Sequence, residues 1–269
     1  STGALAVPHL LSKLGCEVVV LNGEINGRFA HNPEPLPENL RDLSEAVVKE
    51  KADLGIAVDP DVDRLALVCE NGEMFGEEYT LVAVADYILQ HKKGDTVSNL
   101  SSSRALRDVT RQHGGNYHAA AVGEVNVVEK MKAVNAVIGG EGNGGVIVPE
   151  LHYGRDALAG IALFLSHLAK SGQSASELRK RYPNYAMIKD KIALTPDIDM
   201  EGLLKSLEGK YQNEDYNTID GLKIDFPDGW VHLRKSNTEP IIRVYAEGPT
   251  EQAAQALAER LKSDALQLI

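Results

Sequence analysis

Helix and strand patterns alternate through the first 180 or so residues of this 269-residue chain, which restricts it to layered α/β architectures. An apolar-faced run, Ala4–Leu14, stops at Gly15, a favourable helix terminator. Glu17–Leu21 reads as a strand, and a loop rich in Gly, Asn and Pro (Asn22–Asn39) leads to a helix over Leu40–Lys51. A strand, Leu54–Val58, is answered by Leu65–Val68, which runs toward the hairpin signal Asn71-Gly72. The grammar then repeats, with helices over Tyr79–His91, Arg104–His113, Val125–Val134 and Arg155–Ser171. Strands over Thr96–Leu100, Asn116–Ala121 and Ala136–Ile138 separate them, and Val146–Val148 adds a short β run.

After a linker at Tyr182–Tyr185 the pattern changes. A strand over Ala186–Leu194 and a helix over Met200–Tyr211 precede β runs near Thr218–Asp225, Trp230–Arg234 and Ile241–Ala246. An amphipathic helix over Glu251–Leu266 follows. The sequence thus predicts an α/β fold of two consecutive α/β mixed-sheet domains, residues 1–76 and 77–183. A small α+β domain with a mainly antiparallel sheet, residues 184–269, completes it.

The formal net charge is −11 and the basic residues are scattered, which argues against nucleic acid or an anionic membrane as the main partner. No apolar run reaches membrane-span length and no signal-peptide pattern is present. Cys16 and Cys69 lie beside apolar runs and read as small hydrophobes, consistent with a reducing cytoplasm. The start, Ser1-Thr-Gly-Ala with no preceding strand, reads as a piece of a longer chain.

The most informative short stretch is Asp59-Pro-Asp-Val-Asp-Arg64, at the end of an apolar strand. In extended backbone, alternate residues face one way, so Asp59, Asp61 and Asp63 are expected to converge. A hard cation such as Mg²⁺ resolves their repulsion and also accepts phosphate oxygen. Arg64 adds a fork suited to phosphate or carboxylate. The plain alternative is an acidic turn.

Two further loops carry chemistry. Gly139–Gly145 lets backbone approach a ligand closely, and within it Glu141 and Asn143 offer hydrogen-bonding groups suited to sugar hydroxyls. Because the run leads into a strand, it fails as a dinucleotide fingerprint. In Arg234-Lys-Ser-Asn-Thr-Glu-Pro240, Ser236, Asn237 and Thr238 offer donors, and Arg234 and Arg243 bring positive charge. Phosphate binding is expected there; a polar hairpin with Arg paired to Glu239 or Glu247 is the alternative. The strand-to-helix junction Ala121–Asn126 is explained equally by anion binding and by ordinary capping. The histidines show no metal-ligand spacing; His9, His91, His113 and His167 fall in helical patterns, while His31 and His152 lie in loops.

Together these motifs resemble the α-D-phosphohexomutase family of phosphoglucomutase/phosphomannomutase and phosphoglucosamine mutase. Asp59–Arg64 is similar to the family's metal loop, D-G-D-x-D-R, and Gly140–Gly145 to its sugar loop. Arg234–Pro240 matches its phosphate loop, R-x-S-N-T-E-P. The resemblance covers essentially the whole chain and makes its segments domains two, three and four of a four-domain enzyme. It implies a phosphohexomutase that interconverts hexose or hexosamine 1- and 6-phosphates through a bisphosphate. In that reading Mg²⁺ is held by Asp59, Asp61 and Asp63, and Arg64 stabilises the transferring phosphoryl. Glu141 and Asn143 hold ring hydroxyls. Arg234, Ser236, Asn237, Thr238 and Arg243 grip the distal phosphate.

The family's phosphoserine lies in an upstream T-A-S-H-N-P-like loop that nothing here matches, including Ser1 and Ser101–Ser103. The resemblance therefore implies a missing N-terminal domain and an isolated fragment with little or no turnover. Pro60 replaces the usual Gly of the metal loop, and Asn143 and Gly145 replace Ser and His of G-E-x-S-G-H. Two other functions fit parts of the pattern: a D-x-D metal-dependent glycosyltransferase, and a non-catalytic phosphosugar-binding module.

Overall fold

The computed structural model describes residues 2–193, 199–236 and 239–268. The chain forms two compact units, Ser1–Ala119 with Gly123–Pro183, and Ala120–Val122 with Asn184–Ile269. A mixed sheet lies in the first and an antiparallel sheet in the second, as the alternation predicted. Among the described residues no helix is long and apolar enough to cross a membrane.

The first unit opens with α1 (Gly3–Lys13) and α2 (Arg41–Glu50), then the antiparallel pair β1 (Leu54–Val58) and β2 (Leu65–Cys69). There follow α3 (Glu77–His91), β3 (Thr96–Asn99), α4 (Ala105–Gln112), β4 (Tyr117–Ala120), α5 (Glu124–Val134), β5 (Ile138–Glu141) and β6 (Gly145–Ile147). The sheet order is β4-β3-β5-β6, with β3 and β5 parallel and β5 and β6 antiparallel. Helices α6 (Ala157–Ser171) and α7 (Ala175–Lys180) close the unit, the latter through a Ser174/Glu177 capping box. Buried Leu65, Leu67, Leu81, Ile138, Ile147 and Ile161 form much of the core, with Phe75 set edge-on to Phe164 at 4.9 Å.

The second unit is built on the antiparallel order β7-β11-β10-β9-β8. These strands are β7 (Ala186–Ala193), β8 (Asp215–Asn217), β9 (Leu222–Phe226), β10 (Gly229–Lys235) and β11 (Ile241–Gly248). Helices α8 (Met200–Lys210) and α9 (Glu251–Leu266) are capped by Asp199 and Thr250. They bury Leu203, Leu207, Ala258 and Leu261 with sheet residues Leu222, Ile224, Val231, Leu233, Ile242 and Val244. Trp230, fully buried, donates its Nε1–H to Glu247 at 2.7 Å.

Three expectations change. Glu17–Leu21 forms no strand: Val19, Val20 and Leu21 are exposed, and β1 and β2 form a ladder of two. A β-prone sequence with no neighbouring strand has nowhere to place its backbone hydrogen bonds except water. The Gly-rich run is shorter as a loop than expected, because Gly139 and Gly140 belong to β5 and Gly145 to β6. The β run near Thr218–Asp225 divides into β8 and β9, with Gly221 turning between them at φ +76. Both cysteines are free, and burial pushes the Cys69 thiol up to about 11.

Candidate metal and sugar site

β1 ends at Val58 and delivers Asp59, which is 1% exposed, into a tight turn. The Asp59 carbonyl accepts the Val62 N–H at 3.2 Å, and Asp59 Oδ1 accepts the backbone N–H of both Asp63 and Arg64 at 3.0 Å. The three Asp side chains do converge, with ligand atoms all within 4.8 Å of one another. A turn achieves this, and not the extended backbone expected. Pro60 suits the second position of such a turn, where its fixed φ is already correct. Val62 completes it at φ +64, a conformation disfavoured for a β-branched residue and worth roughly 1–3 kcal/mol of strain. That strain is held by burial of the side chain and by the Ala157 N–H, which donates to the Val62 carbonyl at 3.0 Å.

Arg64 donates through Nε to Asp59 Oδ2 at 2.7 Å and through Nη1 to Glu34 Oε1 at 3.3 Å. Burial favours the protonated form of Asp59, but hydrogen bonds and charge, those of Arg64 foremost, together outweigh it and hold that carboxyl below its ordinary value. Asp63 behaves oppositely. Burial, reinforced by the adjacent Asp59 carboxylate, raises it to about 6 against the pull of Arg155. Its Oδ1 is buried and makes no hydrogen bond among the described residues.

The sugar loop lies directly against this turn. The Leu65 N–H donates to the Gly144 carbonyl at 3.1 Å. Gly144 has φ +84, and a Cβ there would stand 2.3 Å from the Leu65 carbonyl oxygen, so both conformation and space require glycine. Asn143 Oδ1 accepts the Gly145 N–H at 3.2 Å, which stabilises the loop with the side chain expected to meet a sugar. Glu141 is buried and already engaged: Oε1 accepts from Asn99 Nδ2 at 2.9 Å and from the Gly123 N–H at 3.3 Å. The Gly123 amide stands at the start of α5, so the anion at that helix N-terminus is the protein's own Glu141.

Arg155, expected from the sequence to begin a helix, instead joins the two loops. Its guanidinium ion-pairs with Asp63, with Glu141 Oε2 at 2.8 Å and with Glu124 Oε2 at 3.4 Å. Its backbone N–H donates to Glu124 Oε1 at 3.0 Å. α6 starts at Ala157 because Asp156 is its N-cap, accepting the Ala159 N–H at 3.0 Å, which leaves Arg155 outside the helix. An Asp immediately before a helix-period run is the signal that reveals this. Asn99 and Glu124 gave no comparable signal.

The phosphate-loop candidates belong to the second unit. Arg234 and Arg243 are direct cross-strand partners on β10 and β11. Two like charges so placed repel unless each is met by an anion. Arg234 Nε donates to Asp220 Oδ2 at 3.1 Å, and Arg243 Nη2 donates to Glu239 Oε2 at 2.9 Å. Ser236 is buried, its N–H donating to the Ile241 carbonyl at 3.0 Å, and its Oγ accepts the Glu239 N–H at 3.3 Å. Asn237 and Thr238 lie outside the described residues. Of the loop histidines, His31 bonds the Asn32 carbonyl and His152 the Asp156 carboxylate, both at exposed positions.

Comparison with known proteins covers nearly all of the chain. Residues 1–72 match the family model for phosphoglucomutase/phosphomannomutase alpha/beta/alpha domain II, residues 76–185 that for domain III, and residues 191–263 that for the C-terminal domain. A phosphoglucomutase/phosphomannomutase of Thermococcus kodakarensis is 38% identical over 96% of this chain and 57% of its own length. A probable phosphoglucosamine mutase of Methanopyrus kandleri is 35% identical over 95% of this chain and 57% of its own length. The chain thus spans under two thirds of these relatives. Among solved structures, a phosphoglucomutase/phosphomannomutase family protein of Burkholderia thailandensis matches with a TM-score of 0.87 at 28% identity. That match covers 99% of this chain and 58% of the other.

Proposed function

The chain belongs to the phosphoglucomutase/phosphomannomutase family, carrying its domains II, III and IV, and from that premise we propose that it supplies the metal, sugar and distal-phosphate sites of a phosphohexomutase. The reaction is the interconversion of a hexose or hexosamine 1-phosphate and 6-phosphate through a bisphosphate, in a cytoplasmic enzyme. The boundaries of its three domains fall after Gly76 and after Pro183.

The observation that carries this reading is the convergence of Asp59, Asp61 and Asp63, in which the buried Asp63 Oδ1 accepts no hydrogen bond among the described residues. Six carboxylates (Glu34, Asp59, Asp61, Asp63, Glu124 and Glu141) stand against two guanidinium groups, Arg64 and Arg155. A cluster with that excess of negative charge and an oxygen lacking a donor fits a hard divalent cation. Asp59, Asp61 and Asp63 would hold Mg²⁺. When bound, the ion supplies charge neutralisation for a phosphoryl group in transfer.

The chain's own residues then have separable tasks. Arg64 keeps Asp59 ionised and offers its outer guanidinium face to phosphate oxygen. Glu141, fixed by Asn99, Gly123 and Arg155, retains acceptor capacity for a ring hydroxyl, since a carboxylate has about four acceptor directions. Asn143 contributes its amide NH₂ from a loop whose shape its own carbonyl maintains. Arg234, Ser236, Asn237, Thr238 and Arg243 take the phosphate that is not reacting, with Arg243 exchanging Glu239 for it. The phosphoryl donor is the phosphoserine of the family's upstream domain, whose loop this sequence does not contain.

Calorimetric titration with glucose 1-phosphate, with and without Mg²⁺, tests the reading. Expected are saturable binding that depends on Mg²⁺ and, in a coupled assay, little or no glucose 6-phosphate formed by this chain alone. Absence of binding under both conditions overturns the proposal, and sustained turnover overturns the assignment of the donor to another domain.

A further inference from the structure

We infer that Arg155 is a built-in counter-cation which couples occupancy of the Asp cluster to binding at the sugar loop. This rests on the functional reading above and extends it to a residue with no part in that assignment of ligands.

One guanidinium reaches three carboxylates from three separate elements: Asp63 of the metal turn, Glu141 at the end of β5 and Glu124 at the start of α5. Its backbone is fixed on both sides. The N–H is held by Glu124, the isolated bridge to Ile147 secures the residue to β6, and the Asp156 cap starts α6 immediately after it. The side chain is 18% exposed, so its ion pairs are screened far less than surface pairs. A guanidinium presents donors in a rigid fork, so Nη1 and Nη2 can engage Glu141 and Asp63 together, which an ammonium cannot do.

Arg155 and a divalent cation compete for the same Asp63 carboxylate. With no cation, Arg155 neutralises Asp63 and is divided between the two loops. A cation on the Asp cluster draws charge from Asp63 and weakens its pairing with Nη2. The guanidinium then commits to Glu141 and to whatever anionic or hydroxyl group a substrate brings beside it. Cation and sugar phosphate each favour the same redistribution, so each raises the affinity of the other by an equal factor, as linkage requires.

The test is calorimetric: Mg²⁺ affinity with and without saturating glucose 1-phosphate, and the reverse, for the wild-type chain, Arg155→Gln and Arg155→Lys. Circular dichroism confirms that each variant is folded. In the wild type, each ligand is expected to tighten the other by about tenfold, within the usual range of coupling. Arg155→Gln should bind Mg²⁺ at least about threefold more tightly, because a competing positive charge is gone, and the coupling should fall to near unity. Arg155→Lys keeps the charge but not the fork, so its Mg²⁺ affinity should stay near wild type while the coupling is lost. A merely structural role for Arg155 would instead weaken both ligands. Coupling that survives in Arg155→Gln overturns the inference and leaves the functional reading intact, whereas independent binding of the two ligands by the wild type overturns the inference together with the Mg²⁺ dependence expected of the function. Failure of the wild type to bind either ligand overturns both.

Discussion

Two acids in the same unit, half-buried Asp63 and buried Asp86, are shifted in opposite directions, and the contrast separates a site from a strut. Asp86, on α3, meets His113 Nε2 at 2.7 Å, His167 Nε2 at 3.2 Å and the Tyr182 hydroxyl at 3.1 Å. Burial favours its protonated form, yet hydrogen bonds from His167 and His113 outweigh burial and hold the carboxyl below its ordinary range. Asp63 stands beside another carboxylate, has an oxygen without a donor, and is raised to about 6. A saturated buried acid is structural, tying α3 to α4, to α6 and to the segment after α7. An undersaturated acid is held by the fold at a cost and is available to a ligand.

The largest expected effect is on the strut. Asp86→Ala leaves His113, His167 and Tyr182 without their common acceptor, and breaking a buried network of this kind costs about 3–5 kcal/mol. Urea denaturation should register that loss while Mg²⁺ affinity in the folded variant stays unchanged. A loss below about 1 kcal/mol would make Asp86 no more structural than a surface acid.

Asp63→Asn should invert the pattern. It removes one charge from an overcrowded cluster, so stability is expected to hold or to rise by up to about 1 kcal/mol. Calorimetry should show Mg²⁺ affinity falling at least about tenfold, equivalent to about 1.4 kcal/mol. Substantial destabilisation with intact metal binding would place Asp63 with Asp86 and erase the distinction.

Acid titration sharpens the contrast further. The Asp86 carboxyl lies lower in the folded state than its unfolded value of about 4. Its contribution is therefore complete above about pH 4 and is lost as pH falls through the folded value. Lys170 and Arg181 share the cavity of about 410 Å³ beside it with His113 and His167, so positive charge faces the carboxylate from α6 and from the end of α7 as well. Unfolding free energy should decline below about pH 4 more steeply in the wild type than in Asp86→Asn, followed by denaturation at several acid pH values. Parallel declines would remove Asp86 as a source of acid sensitivity.

The same contrast explains what could be read in the sequence. Elements with strong periodicity and clear punctuation were legible: β1, ending at the Asp run, and α9, entered through Thr250, have the bounds expected of them. Asp59, Asp61 and Asp63 were legible as a group because chain proximity alone keeps them near one another, although the turn that gathers them depends on Val62 at positive φ, which no composition rule signals. Residues far apart in sequence were not legible as partners. Arg155 and Asp63 stand 92 positions apart, and Tyr182 and Asp86 stand 96 apart. Glu17–Leu21 failed for a related reason, since a strand is a property of two segments and the β-prone residues describe one.

Tyr182→Phe is the smallest and most discriminating change. It removes one donor from Asp86 and keeps the ring, which is 5% exposed and fills the same space. The hydroxyl also lies 2.9 Å from His167 Nε2, so its loss reaches two members of the network at once. A single hydrogen bond to a charged group is worth about 1.5–3 kcal/mol, but His113 and His167 remain as donors, so a loss of about 1 kcal/mol is expected. Combined with Asp86→Asn, the two changes should cost less than their sum, because the hydroxyl has little to stabilise once the carboxylate is neutral. Urea denaturation of the two single variants and the double variant gives that difference directly. Strict additivity would mean that Tyr182 acts through packing alone and that Asp86 is saturated by its two imidazoles without it.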